Sequence, residues 1–280
     1  MTTPRLSIQL YSIRDQLDDL DATMKRIAAL GIDAVEPFSI FDRPLELGIA
    51  LRAHGLSAPT GHAPFLSDEI EFGGRMVPLP PASIAFQAAA ALGVEILFDP
   101  MVAPHRWRTP SDVASTAERL NVAAEEAAQL GLRVGYHNHS FEFHNFFDGV
   151  SAYEYFVSLL DERVALELDV FWAATAGQDV PALLGRLDTR VRALHLKDGV
   201  LAADPFAPAA SYDPTALELC SFGQGELGLD RILGAATSSE FDVIEFDHFD
   251  GDIFEAIDQS ATFMREVRGQ AVTNLTHDIA

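Results

Sequence analysis

One cysteine, Cys220, is all the thiol chemistry this sequence holds. An intrachain disulfide is therefore excluded, and nothing in the chain requires an oxidising compartment. Basic residues are also scarce: 19 Lys and Arg stand against 42 Asp and Glu, a formal net charge of −23. A surface this acidic repels phosphate backbones, which argues against nucleic acid as substrate or partner. Most of these charges read as a soluble, self-repelling surface. No run of about 18 apolar residues is present, so no membrane-spanning helix is expected. The opening MTTPRLSIQLYSIRDQL has no apolar stretch long enough for a signal peptide, and a cytoplasmic location is expected. Neither G-x-G-x-x-G after the first strand nor a P-loop occurs, which weakens any nucleotide-fold reading. What the chain does have is 48% hydrophobic residues over 280 positions, with no low-complexity tract. That suits one α/β barrel occupying residues 1–280 as a single domain.

Short β-like runs alternate with longer helix-like ones. The strand patterns are Leu6–Tyr11, Ala34–Glu36, Ser57–Thr60, Glu95–Asp99, Arg133–His137, Val164–Asp169, Val191–Lys197 and Val243–Asp247. Helical spacing follows each of them, ending at Gly31, Gly55, Gly93 and Gly131 in the first half of the chain. One long amphipathic segment, 111–130, takes Ser111 as a plausible N-cap. Eight β-then-α units in this length favour a closed (β/α)8 TIM barrel over an open doubly wound sheet. Two connections, 61–81 and 198–226, are too long for ordinary loops and suggest walls of a site.

In a parallel barrel the C-terminal strand ends converge on one face, where active sites lie. Glu142, Asp169, His195 and Glu245 each sit at or just beyond such an end. Three carboxylates and an imidazole suit one divalent metal ion with mixed O and N ligands. Asp169 alone reads first as a helix N-cap, and His195 and Glu245 raise the ligand reading. His195 points inward with Ala193 by period-2 alternation, and Lys197 follows on the same side, suited to an oxyanion, a substrate hydroxyl or a salt bridge. Glu245, flanked by Ile244 and Phe246, is costly to bury unless paired or coordinated. His137 and His139 share a strand face and compete with Glu142 to complete the site. His62 and Glu36, after strands three and two, are candidates for acid–base work or substrate clamping, or for loop structure. Trp107 and Trp172, with Phe38 and Phe65, offer an apolar wall against a sugar ring, or core packing.

Carboxylates around a metal suit proton abstraction next to a carbonyl. The ion polarises the carbonyl, a Glu takes the proton, and the enediolate is held by the ion. Returning the proton to the opposite face is epimerisation, and to the neighbouring carbon isomerisation. Loss of a β-leaving group is dehydration or glycoside lysis. A silent sugar-binding barrel is the competing class, disfavoured because drift removes buried carboxylates that carry a cost.

QLYSIR at 9–14, YHNHSFEF at 136–143, LELDVFWAATAG at 166–177, RVRALHLKD at 190–198, GQGELGLDRIL at 223–233 and VIEFD at 243–247 carry a resemblance. Together they resemble the sugar phosphate isomerase/epimerase group of the xylose-isomerase-like TIM barrels, over about residues 5–268. That group includes tagatose 3-epimerase-like enzymes, inosose dehydratases and 3-ketoglycoside lyases. The resemblance implies one Mn²⁺, Mg²⁺, Co²⁺ or Zn²⁺ ion, Mn²⁺ first. It assigns Asp169, His195 and Glu245 as ligands and Glu245 also as base. Its fourth ligand is a strand-five Glu, assigned here to Glu142, although epimerases place it earlier, where this chain has Tyr136 and His137. His62 and Lys197 match positions that contact substrate. The implied partner is a small carbohydrate or cyclitol, unphosphorylated because Lys197 is nearly alone as a cation at the mouth. Homo-oligomers are common in the group. Endonuclease IV-like enzymes share the fold, but their three-zinc cluster needs more His ligands than the 9 His here supply at strand ends.

Overall fold

The structure, a computed structural model, describes residues 3–38, 40–72, 75–207 and 213–277. Eight strands form its central sheet: β1 Arg5–Gln9, β2 Ala34–Glu36, β3 Thr60–His62, β4 Ile96–Asp99, β5 Arg133–His137, β6 Ala165–Asp169, β7 Val191–Leu196 and β8 Phe241–Ile244. Their order is β2-β1-β8-β7-β6-β5-β4-β3, and every pairing is parallel. The two end strands meet: Val35 N donates to Ser57 O at 2.9 Å and His62 N to Pro37 O at 2.8 Å. This closes a (β/α)8 TIM barrel. Nine helices surround it among the described residues: α1 Leu20–Ala29, α2 Pro44–Ala53, α3 Ala82–Leu92, α4 Pro110–Ala128, α5 Ala152–Leu159, α6 Val170–Thr175, α7 Val180–Leu187, α8 Leu229–Ala235 and α9 Ile253–His277.

Alternation along each strand separates two apolar regions. On β6, Leu166 and Leu168 face outward into the large cluster shared with the helices, while Ala165 faces the barrel interior. Ala165, Ile96, Phe98, Ala193 and Phe241 form their own buried cluster, a plug that fills one end of the barrel. Gly135 makes room for it. A Cβ there would collide with Ala165 O and would lie 2.6 Å from the Phe98 ring. Above the plug the inward positions become polar: Gln9, Glu36, His62, His137, Glu167, Asp169 and His195 are all buried.

Element ends differ from the sequence reading in instructive places. β1 stops at Gln9, and Leu10–Gln16 turns as a 3-10 segment whose first free N–H, on Tyr11, is accepted by Gln9 Oε1 at 3.2 Å. β3 lies later than Ser57–Thr60, so His62 is the last strand residue and not a loop residue. The N-cap of α4 is Thr109, whose Oγ1 accepts from Asp112 N at 3.2 Å, with Pro110 in the first turn where its missing N–H costs nothing. The 61–81 connection holds a hairpin pairing Glu69–Phe72 with Arg75–Pro78. In the 198–226 connection, Asp198 gathers the chain: its carboxylate accepts from Gly199 N, Gly223 N, Gly225 N and Leu227 N at 2.8–3.4 Å. No helix among the described residues is long and apolar enough to cross a membrane.

Candidate metal centre

Period-2 alternation stacks Ala165, Glu167 and Asp169 on the inner face of β6, and Ala193, His195 and Lys197 on that of β7 and the residue beyond it. The register sets Asp169 beside His195. Glu245 directly follows β8, so its carboxylate enters the same space. Donor atoms of Asp169, His195 and Glu245 all lie within 4.8 Å of one another, a spacing that can hold a metal ion. His195 Nδ1 is 2.8 Å from Glu245 Oε2. Asp169 divides its two oxygens. Oδ1 caps α6 by accepting from Trp172 N at 2.9 Å, and Oδ2 faces Lys197 Nζ at 2.6 Å. The capping and site readings of Asp169 are therefore both realised, one per oxygen.

Lys197 is 1% exposed, and its ammonium sits among three carboxylates: Asp169 and Glu245 at 2.6 Å each and Asp247 at 3.1 Å. Burial opposes the charge, but Asp169, Asp247 and Glu245 outweigh it and hold Lys197 well above its usual range. Burial would also raise Glu245, yet Lys197 and His195 overcome it and keep this carboxylate ionised. Asp247 lacks enough such help, and burial pushes it up to about 6. His139 and Trp172 border the ammonium, with the Trp172 ring 5.3 Å from Nζ and 5.9 Å from the His139 ring. Burial brings His139 down to about 3, so it is neutral. His139 Nδ1 and Trp172 Nε1 are buried without a hydrogen-bond partner.

A second layer lies one strand step deeper. His62, His137, Glu167 and His195 form another group whose donor atoms lie within 4.8 Å of one another. Glu36, from β2, joins it through His195 Nε2 at 2.5 Å, His62 Nε2 at 3.1 Å and Gln9 Nε2 at 2.8 Å. Glu167 Oε2 meets His62 Nε2 at 2.5 Å and His137 Nδ1 at 3.1 Å. Burial alone would lower His62, but Glu36 and Glu167 outweigh it and raise it to about 9. Burial, then the neighbouring charge of Glu36, lifts Glu167 to about 7.

Three sequence expectations are corrected by this geometry. Glu142 belongs to neither metal-like group. Beyond His137 the chain turns through Phe141–Phe143, and Glu142 folds back to accept from Tyr136 Oη and from His139 N, both at 2.9 Å. Burial raises it to about 8. Glu36 is not a rim residue: it is fully buried in the deeper layer, and His62 bridges the two carboxylates there. Trp107 is fully buried between Tyr136 and Phe156, at 5.4 and 5.0 Å between rings, and packs as core. Trp172 and His139 do come to the site's edge. Glu167 joins the site without being marked by the strand-end pattern. The same alternation that turns His195 inward turns Glu167 inward, but LELD reads at first sight as an apolar run with one terminal acid.

The model of the xylose isomerase-like TIM barrel family matches residues 24–267. The chain belongs to that family. Among solved structures, this xylose isomerase-like barrel is similar to a sugar phosphate isomerase/epimerase from Parabacteroides distasonis, at 21% identity and a TM-score of 0.75, with 94% of each chain covered. It is similar to an IolI protein carrying a zinc atom, at 17% identity and a TM-score of 0.70, covering 95% of this chain and 98% of that one. It also resembles 3-keto-D-glucoside 4-epimerase from E. coli, at 17% identity and a TM-score of 0.63, covering 94% and 99%. At these identities the likeness is one of fold. None of the curated proteins matches in sequence. The family and its neighbours are mostly enzymes, with isomerases and epimerases among them, and this barrel presents a buried His and carboxylate cluster suited to a metal.

Proposed function

We propose that this barrel is a divalent-metal-dependent isomerase or epimerase acting on a sugar, keto-sugar or cyclitol. The observation that carries the reading is the convergence of Asp169, His195 and Glu245 at the strand ends, with Lys197 beside them. The fourth ligand we assign to His137, whose Nε2 is 3.8 Å from Asp169 Oδ2. It stands on β5 where Glu142 does not reach. Two imidazoles and two carboxylates suit Mn²⁺, Co²⁺ or Zn²⁺.

When bound, such an ion supplies Lewis acidity to a substrate carbonyl and lowers the pKa of the neighbouring C–H. The chain's own groups do the rest. Glu245, ionised, takes the proton from that carbon. Lys197, close to Glu245, hydrogen-bonds the substrate oxygen as negative charge builds there, and in turning to it frees Glu245 to act as a stronger base. Asp247, with its pKa near 6, exchanges protons readily and returns one to the product. Trp172 and His139 offer their unpartnered nitrogens to substrate hydroxyls beside an aromatic face.

The test is a screen of keto-sugars and inososes in D2O with metal-loaded protein. Deuterium appearing at the carbon next to the carbonyl, without net elimination, is the expected result. Release of water or an aglycone moves the reading to a lyase using the same site. No exchange with any of them contradicts proton abstraction.

A further inference from the structure

Glu36, Glu167 and His62 in the deeper layer are buried polar groups that the proposed chemistry leaves without a role. Each of the two carboxylates meets one nitrogen of a histidine whose other nitrogen faces the upper site. Glu36 Oε1 is 2.5 Å from His195 Nε2, while His195 Nδ1 faces Glu245. Glu167 Oε2 is 3.1 Å from His137 Nδ1, while His137 Nε2 faces Asp169. The pairing is reciprocal: the two histidines present opposite nitrogens upward, and a carboxylate waits below each.

We propose that Glu36 and Glu167 are positioning residues that fix the tautomers of His195 and His137. The reading rests on the metal centre proposed above. A neutral imidazole has one N–H and one lone pair, and a metal needs the lone pair. Without an ion, both His195 nitrogens face carboxylates, and Glu167, Glu245 and Glu36 outweigh burial to hold the ring protonated. An ion would displace the Nδ1 proton, and with its Nε2–H kept on Glu36, His195 would then present the Nδ1 lone pair upward. With its Nδ1–H given to Glu167, His137 turns that of Nε2 upward. A carboxylate behind a ligating imidazole also raises its basicity and locks its ring. The floor is itself held in place. Gln9 Nε2 donates to Glu36 at 2.8 Å, and the His62 ring stacks on that of His195 at 4.9 Å between centroids and 15° between planes. His62 bridges both carboxylates, and as an imidazolium it balances part of their charge. This accounts for two acids and a histidine buried under a site whose ligands they do not include.

His62, His137, Glu167 and His195 also have the spacing for an ion of their own, and Glu36 Oε2 and Glu167 Oε1 are buried without a hydrogen-bond partner. We favour the positioning role because Glu36 and Glu167 each already face one imidazole nitrogen of His195 and His137 from below. Ion count separates the two.

The experiment is a titration of metal-free protein with Mn²⁺, Co²⁺ and Zn²⁺ by calorimetry. It compares wild type, Glu36→Ala, Glu36→Gln, Glu167→Ala, Glu167→Gln and Asp169→Ala, with the Co²⁺ visible spectrum as a second readout. One ion per chain is expected in wild type. Each Ala variant should bind it about 10- to 100-fold more weakly, with an altered Co²⁺ spectrum, and each Gln variant, which still accepts a hydrogen bond, should recover part of that loss. Circular dichroism identifies variants that are folded, and the Gln pair keeps the test open if an Ala variant is not. Unchanged affinity and spectrum in the Glu variants, with binding lost in Asp169→Ala, overturns the positioning role and leaves the centre standing. Binding unaffected by Asp169→Ala overturns the centre itself. Two ions in wild type, falling to one on removing Glu167, overturns the positioning role in favour of a second site.

Discussion

Glu245→Gln is expected to leave a folded barrel that takes up metal but turns over about 10²- to 10⁴-fold more slowly, the span a positioned general base contributes. Gln keeps the length of Glu and one oxygen that can face a metal, so the substitution removes the proton acceptor more than the ligand. The fold survives because the plug and the outer cluster are untouched. Lys197 keeps Asp169 at 2.6 Å and Asp247 at 3.1 Å as counter-charges. The measurement is the rate of solvent deuterium exchange on whichever substrate the screen yields, beside a thermal melt. Exchange within a few-fold of wild type would remove Glu245 as the base and turn attention to Asp247, the acid beside Lys197 that is not among the proposed ligands.

Lys197→Met is expected to separate stability, metal affinity and turnover. Methionine matches the apolar stem of lysine in volume but leaves Asp169, Glu245 and Asp247 facing one another without a cation. Breaking a buried ion pair from one side costs about 3–5 kcal/mol, so the metal-free variant should melt roughly 10 °C lower. A divalent ion seeks two of the oxygens the ammonium now holds, so removing the competitor should tighten Mn²⁺ binding and enlarge the rise in melting temperature on adding metal. Turnover should fall steeply all the same, because the group that meets charge on the substrate oxygen is gone. Equal melting temperatures and equal metal affinity in the two proteins would mean that the ammonium and the ion do not share these oxygens.

The fold is legible in the sequence because the helix–Gly–strand connection recurs. Gly93 shows why: it closes α3 at φ 79°, a left-handed conformation open to glycine at no steric cost, and sends the chain into β4. Asp169, His195 and Glu245 can be gathered from the sequence alone because all lie at strand ends, and barrel geometry brings strand ends together. Glu167 is equally within reach, since counting back by two from Asp169 lands on it. What hides it is its setting among Ala165, Leu166 and Leu168, which reads as core. Glu142 and Trp107 escape the pattern for a different reason. Both follow their strands through short 3-10 turns, at Phe141–Phe143 and Pro104–Trp107, and no periodicity announces where such a turn will aim a side chain. Glu36 is the last residue of β2 and not one beyond it, so its side chain takes a buried strand position beside Gln9. The substrate is not written in the pattern at all: strand-end carboxylates and imidazoles say where an ion could sit, not what it would act on.

The most direct test of a metal centre in this barrel is the metal content of protein purified without chelator, for wild type and for Asp169→Ala. About one divalent ion per chain in wild type, lost in a variant that still folds, is the result predicted here. A folded wild type that carries no metal and takes up neither Mn²⁺ nor Co²⁺ when they are added would contradict it.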